Sequence, residues 1–78
     1  MARPPELRKY IQGVIRAEKA RHNLTYEDLS ARLARVGIEQ SPTNLSTKIA
    51  RGDMSAQLFV GLLKVLEVKS LALDELRF

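Results

Sequence analysis

An all-α domain of four to five short helices is the fold this sequence predicts, and three observations carry the prediction. Apolar residues recur at helical spacing and nowhere sustain the alternation of a strand. Serine, threonine, proline and glycine stand where helix starts and stops require them. The length, 78 residues, suits one domain. A chain this short buries only about 60% of the surface its unfolded form exposes, so the core is small. The domain is expected to span 1–78, with its core in 6–68 and a C-terminal short helix or tail in 69–78.

The first helix is expected from Pro5 to about His22. Leu7, Tyr10, Ile11, Val14 and Ile15 form one apolar stripe, with Arg8, Lys9, Arg16 and Lys19 mostly off it. Cations near its end suit the negative pole of the helix. The second helix has Thr25 as N-cap, Asp28 at N3, and Leu24 with Leu29 as a hydrophobic staple. Leu29, Leu33 and Val36 continue an inward face, and Gly37 suits the left-handed stop. The third helix opens on the N-cap Ser41 with Pro42 at N1 and closes on Gly52. Leu45 and Ile49 set its buried direction. Thr43, Thr47, Ala50 and Arg51 then fall on the opposite face, with Asn44 and Lys48 on one flank and Ser46 on the other.

The fourth helix follows Ser55 and carries Leu58, Phe59, Val60, Leu62, Leu63, Val65 and Leu66. It is expected to be the central strut of the core, with an apolar stripe wide enough to meet another chain as well. The segment from Ser70 to Phe78 fits a strand or a short helix capped by Ser70, and the helix is preferred.

Composition excludes several functions. There is no cysteine, so disulfides and thiolate metal sites are absent, as suits a reducing compartment. A single histidine cannot build a histidine metal cluster. No apolar run approaches the ~20 residues that cross a bilayer, and the N-terminus lacks the apolar stretch of a secretory signal. The expectation is a cytoplasmic protein without cofactor, metal, membrane or small-molecule ligand. No nucleophile–base pair or phosphate-cradling glycine loop points to an enzyme. Glu27 and Asp28 read as helix-start acids rather than a paired-carboxylate site, and His22 as a surface residue near a helix end.

The net charge is +4 and is unevenly placed. Residues 1–22 hold six cations (Arg3, Arg8, Lys9, Arg16, Lys19, Arg21) against Glu6 and Glu18, which gives +4, and the remainder sums to zero. From Ser41 to Gly52 there are Lys48 and Arg51 and no acid. A basic first helix and an acid-free basic stretch either form solvated faces or face phosphates.

The pair of helices at 25–36 and 42–51, joined by a turn containing glycine, describes a helix-turn-helix. In that unit the second helix enters the major groove of DNA, and its N-terminal residues meet base edges. Leu24-Thr25-Tyr26-Glu27-Asp28-Leu29-Ser30-Ala31-Arg32-Leu33 resembles the "Leu-Thr-Gln-Glu-Glu-Leu-Ala" opening of the Cro/C1-type (XRE) helix-turn-helix family. Asn44-Leu45-Ser46-Thr47-Lys48-Ile49-Ala50-Arg51-Gly52 resembles the recognition helix of that family, and Leu63-Lys64-Val65-Leu66-Glu67-Val68 its apolar fourth helix. The likeness covers roughly residues 7–68. The chain also resembles short bacterial proteins of unknown function with a predicted helix-turn-helix.

The resemblance implies a lambda-repressor-like fold, and it implies roles only where positions match. Pro42, Thr43, Ser46 and Thr47 would stand among the base-reading side chains, with Asn44 and Lys48 as adjacent base contacts. Arg51, Lys19 and Arg21 would meet phosphate. So would Tyr26, which stands where the family usually has a phosphate-gripping glutamine. The chain departs from the family in its turn. Between Leu33 and Leu45 there are about five residues more than the family pattern, so either Val36 to Ser41 forms a longer loop or the second helix extends.

The leading expectation is a sequence-specific binder of double-stranded DNA, a small transcriptional regulator associated with the nucleoid. It would act as a homodimer through the fourth helix and the C-terminal tail. The alternative is a helical protein-interaction module, antitoxin-like or an anti-activator adaptor, using the 42–51 face and the basic first helix. Thr43, Asn44 and Thr47 also fit plain cap and turn roles. Arg3 and Pro4-Pro5 fit either a frayed tail or an arm that touches DNA.

Overall fold

The computed structural model describes residues 5–76. The described residues form four α-helices and one 3-10 turn, with no strand: α1 Pro5–Arg21, α2 Tyr26–Arg35, α3 Pro42–Arg51, α4 Ala56–Val65, then the turn Leu73–Glu75. Arg3, Pro4 and Phe78 lie outside the described residues.

Local chemistry sets the helix ends. The Thr25 hydroxyl accepts the Asp28 N–H at 3.1 Å and the Asp28 carboxylate accepts the Thr25 N–H at 2.9 Å, a reciprocal cap. The Thr25 N–H foremost, and then the Thr25 hydroxyl beside it, hold the Asp28 carboxyl below its ordinary pKa; burial opposes the effect and Arg32 adds to it. Ser41 and Ser55 accept the N–H groups of Asn44 and Leu58, each at 3.1 Å. Gly52 closes α3 at φ +62° and Gly37 follows α2 at φ +85°, a region where a side chain is strained.

Eight apolar residues make the buried core: Ile15, Leu29, Leu33, Leu45, Ile49, Leu58, Leu62 and Leu66. Apart from Ile15, they repeat every four positions (29/33, 45/49 and 58/62/66), the spacing that gives an α-helix one inward face. No polar or charged residue is buried among the described residues. Leu7, Tyr10, Ile11 and Val14 of the α1 stripe are half-buried, and only Ile15 is fully enclosed.

Several expectations need correction. The central strut is not α4. The helices α2 and α3 pack on each other, α1 lies on α3, and α4 lies chiefly on α2. The reason is in the register: Leu58, Leu62 and Leu66 line one inward edge, while Phe59, Leu63 and Val65 only flank the core and Val60 is 62% exposed. Val36 does not continue the inward face of α2 and is 53% exposed. The helix stops at Arg35 and the chain turns, so that the Ile38 N–H reaches the Leu33 carbonyl at 2.9 Å and Ile38 packs on the core instead. Ser70 caps nothing, and no α-helix or strand follows it among the described residues. Residues 68–72 run without regular structure into the turn, whose N-cap Ala72 offers no side-chain acceptor.

Candidate nucleic-acid interface

The extra length between Leu33 and Leu45 is taken up by a six-residue loop, 36–41, and not by a longer α2. Two side chains of the neighbouring helices pin it through Gln40. The Ser30 hydroxyl donates to the Gln40 carbonyl at 2.6 Å, and the Lys48 ammonium donates to the Gln40 side-chain oxygen at 3.2 Å. The loop therefore bridges α2 to the flank of α3. Beside it lies an open groove of about 450 Å³, lined by Glu39, Gln40, Ser41, Asn44 and Lys48 with Ser30 and Ala34 of α2.

With Leu45 and Ile49 fully buried, α3 turns Thr43, Asn44, Thr47, Ala50 and Arg51 to solvent. Pro42, Ser46 and Lys48 are half-buried at the edges of that face. The six expected base-contacting residues thus share one helix, three of them fully outward and three along its margins. Ser41 uses its oxygen on Asn44 N–H, so the first turn of α3 is capped by its own chain.

The expected phosphate contacts are dispersed. Arg51 is exposed at the C-terminal end of α3. Tyr26 and Lys19 occupy each other: the Lys19 ammonium sits 4.5 Å from the centre of the Tyr26 ring, a cation–π contact tying α2 to the end of α1. Arg21 pairs with Glu18 at 2.7 Å, and His22 lies 3.9 Å from the same carboxylate oxygen. Lys19, Arg21, His22 and Tyr26 thus stand where α1 ends and α2 begins, and Arg51 stands at the end of α3.

Two contacts between helices, one seating α3 on α1 and one seating α4 on α2, are not apparent from sequence spacing. Gln12 of α1 donates its side-chain N–H to the Ala50 carbonyl at 2.7 Å. Arg32 of α2 donates to the Val65 carbonyl at 3.0 Å, a cation at the negative pole of α4. Both join residues more than thirty positions apart, so no local signal foretells them. A second groove, about 540 Å³ and mostly apolar in surface, lies between Val36 and Ile38 of the loop and Ala56, Gln57, Val60, Gly61 and Lys64 of α4. An added Cβ at Gly61 would meet the tip of the Ile38 side chain, which would have to shift aside. No helix among the described residues is long and apolar enough to cross a membrane.

The family described as a domain of unknown function (DUF6471) matches residues 7–71. No curated protein and no solved structure matches the chain.

Proposed function

The chain belongs to the DUF6471 family, and we propose that it is a sequence-specific binder of double-stranded DNA, a small non-enzymatic transcriptional regulator that lays α3 in the major groove. One observation carries the reading: the side of α3 opposite Leu45 and Ile49 is open to solvent, free of acid, and carries short hydrogen-bonding side chains. A helix bearing Thr43, Asn44 and Thr47 approaches base edges closely, and hydroxyl and amide groups both donate and accept there. Arg51 on the same face adds a cation that meets phosphate. The resemblance to the Cro/C1-type family in residues 24–33 and 44–52 agrees with this use of the two helices.

A single α3 reads only ~4–5 base pairs, too few to select a site in a genome, so the reading includes a homodimer on a two-fold site. Its contact is the apolar groove of Val36, Ile38 and Val60, which a second copy would cover. The tail, with Leu73 exposed, adds to that contact, while Glu75 and Leu76 line a groove with Glu6, Lys9 and Tyr10 of α1. That same apolar groove favours the second reading, a protein-interaction module in the same fold, if the partner is another protein.

Fluorescence anisotropy on a random-sequence duplex separates the two. DNA binding through about six phosphates loses on the order of a thousandfold in affinity between 50 and 200 mM salt. Absence of binding at 50 mM would leave the protein-interaction module as the better account.

A further inference from the structure

The two flanks of α3 differ in charge. On the loop side, the groove beside Asn44 carries Glu39, and its one cation, Lys48, is already bonded to Gln40. On the α1 side there is an open cleft of about 220 Å³ lined by Pro5, Arg8, Lys9, Gln12, Ala50 and Arg51. It holds three cations and no carboxylate. None of the three is paired with an acid among the described residues; Glu6 and Glu75 stand on the far side of Lys9, in the next groove.

The cleft is built by the backbone and not by chance placement of long side chains. Gly52 lets the end of α3 rest directly on α1: a Cβ there would overlap the Arg8 carbonyl oxygen and come within 2.7 Å of its carbon. Gln12 locks the same joint through the Ala50 carbonyl. The backbone positions of Arg8 and Arg51, distant in sequence, are thereby brought together, and both residues line the one cleft. The α3 C-terminus contributes a partial negative charge of only about half an electron, which favours cations but cannot neutralise three. The walls, a proline ring and an alanine methyl, are apolar and strengthen the field inside. The volume admits a phosphate with several waters, at about 30 Å³ each.

We propose that this cleft is a phosphate subsite that grips the DNA backbone along the α1 flank of α3, so that one strand of the duplex is held far more strongly than the other. The inference rests on the DNA-binding reading and deepens it. With α3 in a groove ~12 Å wide, the two backbones pass along its two flanks. Arg8, Lys9 and Arg51 meet one of them, and Glu39 stands against the other. Arg8 and Lys9 join Arg51 as phosphate ligands, in place of Lys19 and Arg21, which other groups of the chain already engage.

The test is the salt dependence of binding to one fixed duplex, by anisotropy between 50 and 200 mM salt, for four proteins: wild type, the double variant Arg8→Gln with Lys9→Gln, Arg51→Gln, and the control Lys69→Gln, at an exposed residue after α4 that does not line the cleft. Each lost phosphate contact lowers the slope by about 0.9. The double variant should therefore lose about tenfold less affinity than wild type across that range. Arg51→Gln should lose about threefold less, and Lys69→Gln should match wild type. Helix content by circular dichroism should be equal in all four. A wild-type slope in the double variant, with wild-type protein binding well, would overturn the subsite and leave the DNA reading intact. No binding by wild type at 50 mM would overturn both.

Discussion

Replacing Gly52 with alanine probes the joint on which the placement of α3 depends. Two costs are expected. At φ +62° an alanine is in the left-handed region, which costs about 1–2 kcal/mol. Its Cβ would also overlap the Arg8 carbonyl, with the carbonyl carbon at 2.7 Å and the Arg8 Cα at 2.9 Å. Non-bonded carbons relax to about 3.5–4.0 Å, so α1 and α3 must part by roughly 1 Å. Overpacking of this kind costs about 1–3 kcal/mol. The sum, about 2–5 kcal/mol, is a large share of the roughly 4–12 kcal/mol expected for a domain of this length. Gly37 is the matched control, since it also has positive φ, +85°, but nothing lies within 4 Å of an added Cβ. Gly37→Ala should show the left-handed cost alone, about 1–2 kcal/mol. Urea unfolding monitored by circular dichroism gives both differences from midpoint and slope. Gly52→Ala should exceed Gly37→Ala by about 1–3 kcal/mol. Equal losses would refute the direct seating of α3 on the Arg8 carbonyl, and with it the geometry of the basic cleft.

Other outcomes follow from the same structure. Thr47→Ala or Thr43→Ala should reduce preference among DNA sequences at unchanged helix content, and unchanged discrimination in competition titrations would remove α3 as the reading helix. Leu45→Ala should cost about 2–5 kcal/mol in urea unfolding, because Leu45 is fully buried in a core of eight residues. Gly13→Ala, on an open side of α1 with no atom near, should instead stabilise by about 1 kcal/mol. Asp28 supplies a pH signature. Its folded-state pKa is depressed, so its contribution is present above the unfolded value of about 3.9 and is lost as pH falls through the lower folded value. The stability advantage of wild type over Asp28→Asn should accordingly shrink in urea titrations below about pH 4; a difference constant down to pH 2 would contradict the cap.

What the sequence made legible was local. Thr25 with Asp28, Ser41 with Pro42, and Ser55 mark three helix starts, because a cap involves residues only three apart. Leu45 and Ile49 set the facing of α3 for a similar reason: one helical turn separates them. The failures were non-local. Whether Val36 or Ile38 filled the core depended on where α2 gave way to the loop, and the chain chose Ile38 because the Leu33 carbonyl accepts its N–H. The wide apolar run of α4 suggested a central helix, yet its position is set by which edge α2 offers it. The expected base-contacting residues share one helix and came out together. The expected phosphate contacts come from three helices, and spacing could not show that Lys19 would stack on Tyr26 or that Arg8 would stand beside Arg51.

The central claim, that the outward face of α3 reads DNA sequence, is tested most directly by selection from a random duplex library, run side by side with wild type and a Thr43→Ala, Thr47→Ala double variant. Wild type should enrich a two-fold motif whose half-sites each hold a few defined base pairs, and the double variant should lose that motif while retaining weak, salt-sensitive binding. A wild-type pool that stays random after repeated rounds, or an identical motif from both proteins, would contradict it.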